Sequence, residues 1–390
     1  MKADFSSCCK VSSAFAARFR GLRAGSIVLV LAVLITPVSL SAQSVFSKHE
    51  ETSLLRDLAK LEPIDAHSHA VQINAGFMAM LDRWDLHLID IVVDSDKPAD
   101  GLEPFKQNVI DHFAFVKASH GHAVVCTTFD PYRFNNPDFD RVAIDGLNRD
   151  FARGAIAVKI WKNIGMEIKD SSGKYVMPDD PKFEPIYKDI ATHNKTLIAH
   201  LAEPDEAWGI PVSHINPDTA SYYAGHSQWK MTGIPGAPSK HKILIARDHL
   251  LAMNPHLRVV GAHLGSMESD VDLIAQRFDR YPNFAVDTAG RVPYLTYQPR
   301  EKVRKFIIKY QDRILYGTDN SFQKSSDPKD AIRIWQEQYA QDWRYFATTD
   351  HFSYEGYDVQ GLGLPPTVLK KLFHDNAIRW FPGLGNSFSE

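Results

Sequence analysis

The sequence is poor in cysteine. Cys8 and Cys9 lie near the N-terminus, and Cys126 is the only other one. The body of the chain therefore cannot close an internal disulfide and must be held by its core. An excess of either charge is also missing. Its 44 Lys and Arg are mixed with 47 Asp and Glu, giving a formal net charge of −3. A nucleic-acid footprint needs a clustered basic surface, so this balance argues against such a partner. The apolar run from Ile27 to Leu40 is short of the roughly 20 residues that span a bilayer. No solenoid repeat or low-complexity segment is visible, and no Gly-rich phosphate turn follows the first strand-like run, as a dinucleotide-binding open sheet would require.

What the N-terminus does contain is an export pattern. Arg18, Arg20 and Arg23 precede the Ile27–Leu40 run, and Ser39, Ser41 and Ala42 follow it. Residues 1–42 are expected to be a signal peptide, cleaved near Ala42-Gln43, with the mature protein periplasmic or secreted. A retained anchor is the alternative. After cleavage no stable membrane span is expected. No cysteine stands at the cleavage point to carry a lipid. Residues 43–62 are read as a lead-in helix, and 63–390 as one catalytic domain.

From Pro63 onward, short β-branched runs alternate with helical patterns. The strands are expected to begin at Ile64, Leu88, His122, Ala155, Thr196, Arg258, Phe284 and Arg313. The helices between and after them include Ile73–Trp84, Asp138–Arg153, His241–Asn254, Pro328–Ala340 and a last one near Pro366–Trp380. Strands apolar throughout, each followed by a helix, mean a parallel sheet covered on both faces. Eight such units predict a (β/α)8 TIM barrel with extra N- and C-terminal helices. Two connections are long, 162–182 and 202–240. Both follow strands, so both belong at the C-terminal mouth, where this fold builds its active sites. The second is rich in aromatics: Trp208, Tyr222, Tyr223 and Trp229.

The polar residues at strand ends carry the chemistry. Pro63-Ile-Asp-Ala-His67-Ser-His69 places two imidazoles on one face of a strand, because side chains alternate. Lys159, His200, His263 and Asp319 stand at the ends of strands four, five, six and eight. Singly, each could be a core residue with a satisfied partner. Together, at corresponding ends, they suit a divalent ion, since buried charge is costly unless paired or bound to metal. Imidazoles with a carboxylate suit Zn²⁺ or a similar ion and leave a position for water. Asp319 could then take a proton from that water, and His263 could polarise the substrate or orient the water.

These motifs resemble the amidohydrolase superfamily, within it the branch called amidohydrolase family two. The likeness lies in His67-Ser-His69, His200 in IAHLAEP, His263 in GAHLGS, Asp319 in LYGTDNSF, and the ending LKKLFHDNAIRWF, and it covers about Pro63 to Pro382. It implies a TIM barrel holding a divalent metal, usually zinc, and hydrolysis of an amide, ester or lactone of a small molecule. Decarboxylation or hydration of aromatic or unsaturated acids is the alternative in this branch. The resemblance implies metal ligands at His67, His69, His200 and Asp319, with His263 catalytic. In binuclear relatives a carboxylated Lys, here Lys159, bridges to a second ion held by His200 and His263. One ion is favoured here. Lys159, Trp161 and Glu203 are expected to line the substrate site, with Lys162, Arg291 and Trp229 as weaker expectations. His214, His226 and His241 are read as polar loop residues, and Asp350-His351 as surface. A phosphoesterase class shares the early H-x-H. It needs a late Asp-x-His, where this chain has Gly317-Thr-Asp-Asn320.

Overall fold

The computed structural model describes residues 46–94, 103–212, 214 and 217–388. The export signal expected at 1–42 lies outside them. One sheet contains β1 (Ile64–Ala70), β2 (His87–Ile91), β3 (Ala123–Thr128), β4 (Ala157–Ile160), β5 (Thr196–Ala199), β6 (Arg258–Gly261), β7 (Phe284–Asp287), β8 (Ile314–Leu315) and β9 (Asn320–Phe322). Neighbours pair in parallel from β1 to β8, and β9 pairs in parallel with β1. β8 and β9 are two halves of one strand, parted at residues 316–319. Across that break the amide of Ala66 donates to the Tyr316 carbonyl at 2.9 Å, and the amide of Asp319 to the His67 carbonyl at 2.8 Å. The sheet thus closes into the expected TIM barrel, with its eighth strand broken where Asp319 sits.

The two faces of each strand explain the continuous apolar runs. Ile89, Ile91, Val124, Cys126, Ile198, Val260, Ala285 and Leu315 form one buried cluster inside the barrel. Their strand neighbours Leu88, Val158, Ile160, Leu197, Val259, Phe284 and Val286 pack with the helical layer. Trp380, Phe381 and Leu384 join the inner cluster. Trp380 accepts from the Thr196 hydroxyl and donates to the Asp312 carbonyl, so the C-terminal helices seal the barrel's lower end. The N-terminal helix Lys48–Ala59, capped by Ser47, is tied to the helix Pro328–Ala347 through Arg344 and Glu50 at 2.8 Å.

Three features differ from the pattern read in the sequence. The helix expected to end at Ala340 runs on to Ala347, because Trp343 and Phe346 continue its buried face. An antiparallel hairpin, His351–Tyr354 with Tyr357–Gln360, follows it. The long 202–240 connection carries its own helix, Pro217–Gly225, and short turns at Asp205–Trp208 and Ser227–Trp229. Among the described residues no helix is long and apolar enough to cross a membrane.

Gly261, at the end of β6, marks how closely the strands approach the mouth. A Cβ there would lie 2.7 and 2.8 Å from the Phe284 ring and 2.9 Å from the Gly265 Cα. Gly261→Ala should therefore cost about 1–3 kcal/mol of overpacking, read as a lower urea midpoint. An unchanged midpoint would contradict this packing.

Candidate metal centre

β1 delivers His67 and His69 to the mouth. Its pairing with β2 shifts register between Asp65 and Ser68, which re-aims the strand at this point. His69 Nδ1 lies 2.7 Å from the Ile91 carbonyl, and a carbonyl can only accept, so Nδ1 carries the proton. His67 Nδ1 lies 2.9 Å from Asp287 Oδ2, which fixes the same tautomer. Both rings therefore present a bare Nε2. These atoms face Asp319 Oδ1 at 3.4 Å from His67 and 3.2 Å from His69. The donor atoms of His67, His69 and Asp319 all lie within 4.8 Å of one another, and no other metal-ligating group of this kind occurs among the described residues.

Asp319 owes its place to the broken strand. Its φ is +67°, a left-handed conformation uncommon outside glycine. The preceding Thr318 is clamped by Asp65, which accepts from the Thr318 amide at 3.0 Å, the Thr318 hydroxyl at 2.6 Å and the Tyr339 hydroxyl at 2.9 Å. Gly290 lies alongside with φ +59°. A Cβ on it would sit 3.5 Å from Asp319 Oδ2.

The sequence places His263 at a strand end. The structure places it in a left-handed turn beyond β6: His263, Leu264, Gly265 and Ser266 have φ of +58°, +55°, +62° and +57°. For L-residues such a turn costs roughly 1–2 kcal/mol each. The surroundings impose it. Arg247 Nη1 donates to the Gly265 carbonyl at 2.6 Å, Asp287 Oδ1 accepts the His263 amide at 2.8 Å, and the Ser266 hydroxyl donates to the Ala202 carbonyl at 2.9 Å. His263 Nδ1 donates to the Ala289 carbonyl at 2.8 Å, so its Nε2 accepts from His200 Nδ1 at 3.1 Å. His200 therefore stands one ring beyond the His67/His69/Asp319 triplet, packed on His263 with ring centroids 4.1 Å apart. Its Nε2 is buried and has no hydrogen-bond partner.

Electrostatics favour neutral imidazoles. Burial, then the Lys159 ammonium, pushes His67 down. Burial, then His263 and the Lys162 ammonium, pushes His200 well below the ordinary imidazole value. Burial pushes His263 there too, against Asp319. Desolvation alone would raise Asp319, but the His263, His69 and His67 rings outweigh it and hold the carboxyl well below its usual range. Neutral imidazoles beside an ionised carboxylate are the protonation states that metal binding needs. The buried His200 Nε2, which has no partner, and the unprotonated Nε2 atoms of His67 and His69 suit a divalent ion, since each offers it a lone pair.

Lys159, fully buried at the end of β4, donates to His67 Nε2 at 3.0 Å. It bonds a proposed ligand and is not an open substrate contact. Burial lowers it to about 8, against the pull of Asp287 and Asp319. An ammonium on His67 Nε2 competes with a cation for that lone pair. As pH rises through about 8 the ammonium is lost and the competition ends, so divalent-metal affinity should rise across pH 7–9. Competition with a chromophoric chelator would measure this, and Lys159→Met should flatten the rise. The same slope in that variant would assign it elsewhere.

The remaining expected site residues gather in the two long loops. Lys162 pairs closely with Glu203 and donates to the Tyr222 hydroxyl at 2.7 Å, while Tyr223 donates to the other Glu203 oxygen at 3.2 Å. The Lys162 ammonium lies 4.8 to 5.0 Å from the rings of Trp161, Tyr222 and Trp229. Glu203 is thus committed to loop residues. Trp161 flanks His200, with ring centroids 6.4 Å apart, and lines the mouth with Trp229. His226 stacks on Tyr222, His241 is exposed, and Asp350 and His351 are exposed at the hairpin. His214 stacks on Tyr297. Asp287 and Asp65 were not singled out in the sequence. Asp287 ends a strand, as the other site residues do, and that position was its signal. Asp65 faces the outer layer and had none.

Residues 144–383 match the family model for amidohydrolases, more than half of the sequence. The chain belongs to the amidohydrolase family. That family is metal-dependent, in keeping with the His-His-Asp group at the mouth. In fold this amidohydrolase is similar to 2,6-dihydroxybenzoate decarboxylase solved with 2,6-dihydroxybenzoate, at TM-score 0.50 and 15% identity over 82% of this chain and 98% of the other. It is also similar to a protein from Staphylococcus aureus described as an amidohydrolase, at TM-score 0.50 and 14% identity over 82% and 99%. None of the curated proteins matches the sequence.

Proposed function

We propose that this chain is a metal-dependent hydrolase of a small molecule, acting on an amide, ester or lactone. The observation that carries the reading is the convergence of His67, His69 and Asp319 from opposite ends of the barrel sequence. His67, His69, His200 and Asp319 would hold one divalent ion, with zinc the proposed metal because nitrogen and carboxylate donors suit it. Such an ion supplies Lewis acidity and lowers the pKa of water towards 7. Asp319 turns Oδ1 to the histidines, and its Oδ2 lies 4.0 Å from His263 Nδ1. Its low pKa keeps it ionised across the neutral range, ready to accept the proton of the attacking water and pass it to the leaving group. Asp287 orients His67 and His263. Trp161, Trp229 and Tyr222 wall the mouth and exclude water.

A second reading, decarboxylation of an aromatic acid, is supported by those aromatic walls and by the fold likeness to the dihydroxybenzoate enzyme. Turnover screens on small esters, lactones, amides and aromatic acids, with metal analysis, separate the readings. Hydrolysis yields an acid with an alcohol or amine, and decarboxylation yields CO₂. Full activity in protein stripped of metal would end both. Export with cleavage near Ala42-Gln43 is proposed from the Arg-then-apolar N-terminus, and a mature protein still beginning at Met1 would refute the cleavage.

A further inference from the structure

Arg291 follows Gly290, whose backbone runs beside Asp319 and His263. Its surroundings are unusual for a guanidinium. It offers five N–H donors, yet among the described residues its side chain makes one hydrogen bond, from Nη1 to the adjacent Gly290 carbonyl at 2.8 Å. Its Nε is buried without a partner. Among the described residues no carboxylate forms an ion pair with it, although Glu268, Glu203 and Asp319 all lie within electrostatic range. The ring of Tyr294 lies under it, 5.6 Å from the guanidinium carbon. By contrast, Lys162 across the mouth is fully committed to Glu203 and Tyr222. An unspent fork of donors costs free energy when partly desolvated, and it matches a planar anion bidentately.

The mouth supplies the rest of the fit. Tyr222 accepts from Lys162, which leaves its own O–H free to donate. Trp161, half-buried, offers a flat apolar ring near His200, and Tyr222, half-buried and backed on one face by His226, presents its hydroxyl. Resting on the functional reading above, we propose that Arg291 is the anion subsite of this mouth, and that the substrate is a carboxylate carried on an aromatic or similarly flat frame. The carboxylate sits on the guanidinium fork, and the rest of the molecule lies against Trp161, within reach of the Tyr222 hydroxyl, toward His67, His69 and Asp319.

The test is equilibrium binding of benzoate and benzamide, which share a ring and differ in the charge. Calorimetry is run on metal-free and zinc-loaded full-length protein, for the wild type, R291M and R291K. The expected result is benzoate binding by the wild type with or without zinc, weakened roughly ten- to a hundredfold in R291M. R291K should recover part of the loss, because lysine keeps the charge without the fork. Benzamide should bind weakly and equally to all three. Unchanged zinc content in R291M shows that the variant is folded. Benzoate binding that is absent in the wild type, or equal in the wild type and R291M, overturns the subsite. A protein that binds benzoate through Arg291 but turns over nothing keeps the subsite and sinks the hydrolase reading. An R291M enzyme that hydrolyses carboxylate-bearing esters as well as the wild type does the reverse.

Discussion

Asp319→Ala should lose turnover by at least roughly 10²–10⁴-fold, the range for removing a general base alone, and should lose bound metal as well. The carboxylate has two tasks on two oxygens. Oδ1 completes the donor group with His67 and His69, and Oδ2 lies toward His263. The fold should survive the substitution. The strand is anchored through the backbone amide of Asp319 and through Thr318 on Asp65, and neither uses the Asp319 side chain. Asp319→Asn separates the two tasks. It keeps the shape and one acceptor but cannot take up a proton as a carboxylate does. Metal content near that of the wild type with turnover still lost would assign Asp319 to proton transfer. Metal and turnover lost together would assign it to ligation first. Normal turnover in either variant would refute the role given to this residue.

Asp287→Asn should weaken metal binding about 10- to 100-fold, though Asp287 touches no proposed ion. The carboxylate accepts from His67 Nδ1 and from the His263 amide, so it sets one ring's tautomer and the strained turn that carries another. An amide has one acceptor. If its oxygen keeps the His263 amide, its NH₂ faces His67 Nδ1. That ring must then move its proton to Nε2, the atom aimed at Asp319, and an Nε2–H cannot bind a metal. Metal affinity measured by chelator competition, alongside thermal melting, checks this. An affinity equal to that of the wild type would mean that His67 needs no orienting carboxylate.

Much of the architecture was legible because the barrel writes itself into the sequence twice. Most strands are buried on both faces and so read as apolar runs, and several of those runs end on a polar residue that turns into the mouth. The H-x-H of β1 and the ends of β4, β5 and β8 were found by that rule. Asp287 obeys the same rule, but nothing local shows that it serves an imidazole. Its partner, His67, is 220 residues away. The left-handed run from His263 to Ser266 was not legible, since Leu264 at its centre disfavours positive φ. Tertiary contacts from Arg247 and Asp287 force it. The break in strand eight was hidden for the same reason. Glu203 was placed near the substrate by its distance from His200 in sequence. The Lys162 ammonium, arriving from the other long loop, claims it instead. Pairings between loops depend on how the loops fold, and no local pattern encodes that.

The most direct test is a crystal of the zinc-loaded protein measured on both sides of the zinc absorption edge. The account predicts an anomalous peak about 2.0–2.2 Å from His67 Nε2, His69 Nε2 and an Asp319 oxygen, with His200 Nε2 turned toward it. Crystals with no peak at that position, grown from protein that is catalytically active, would contradict it.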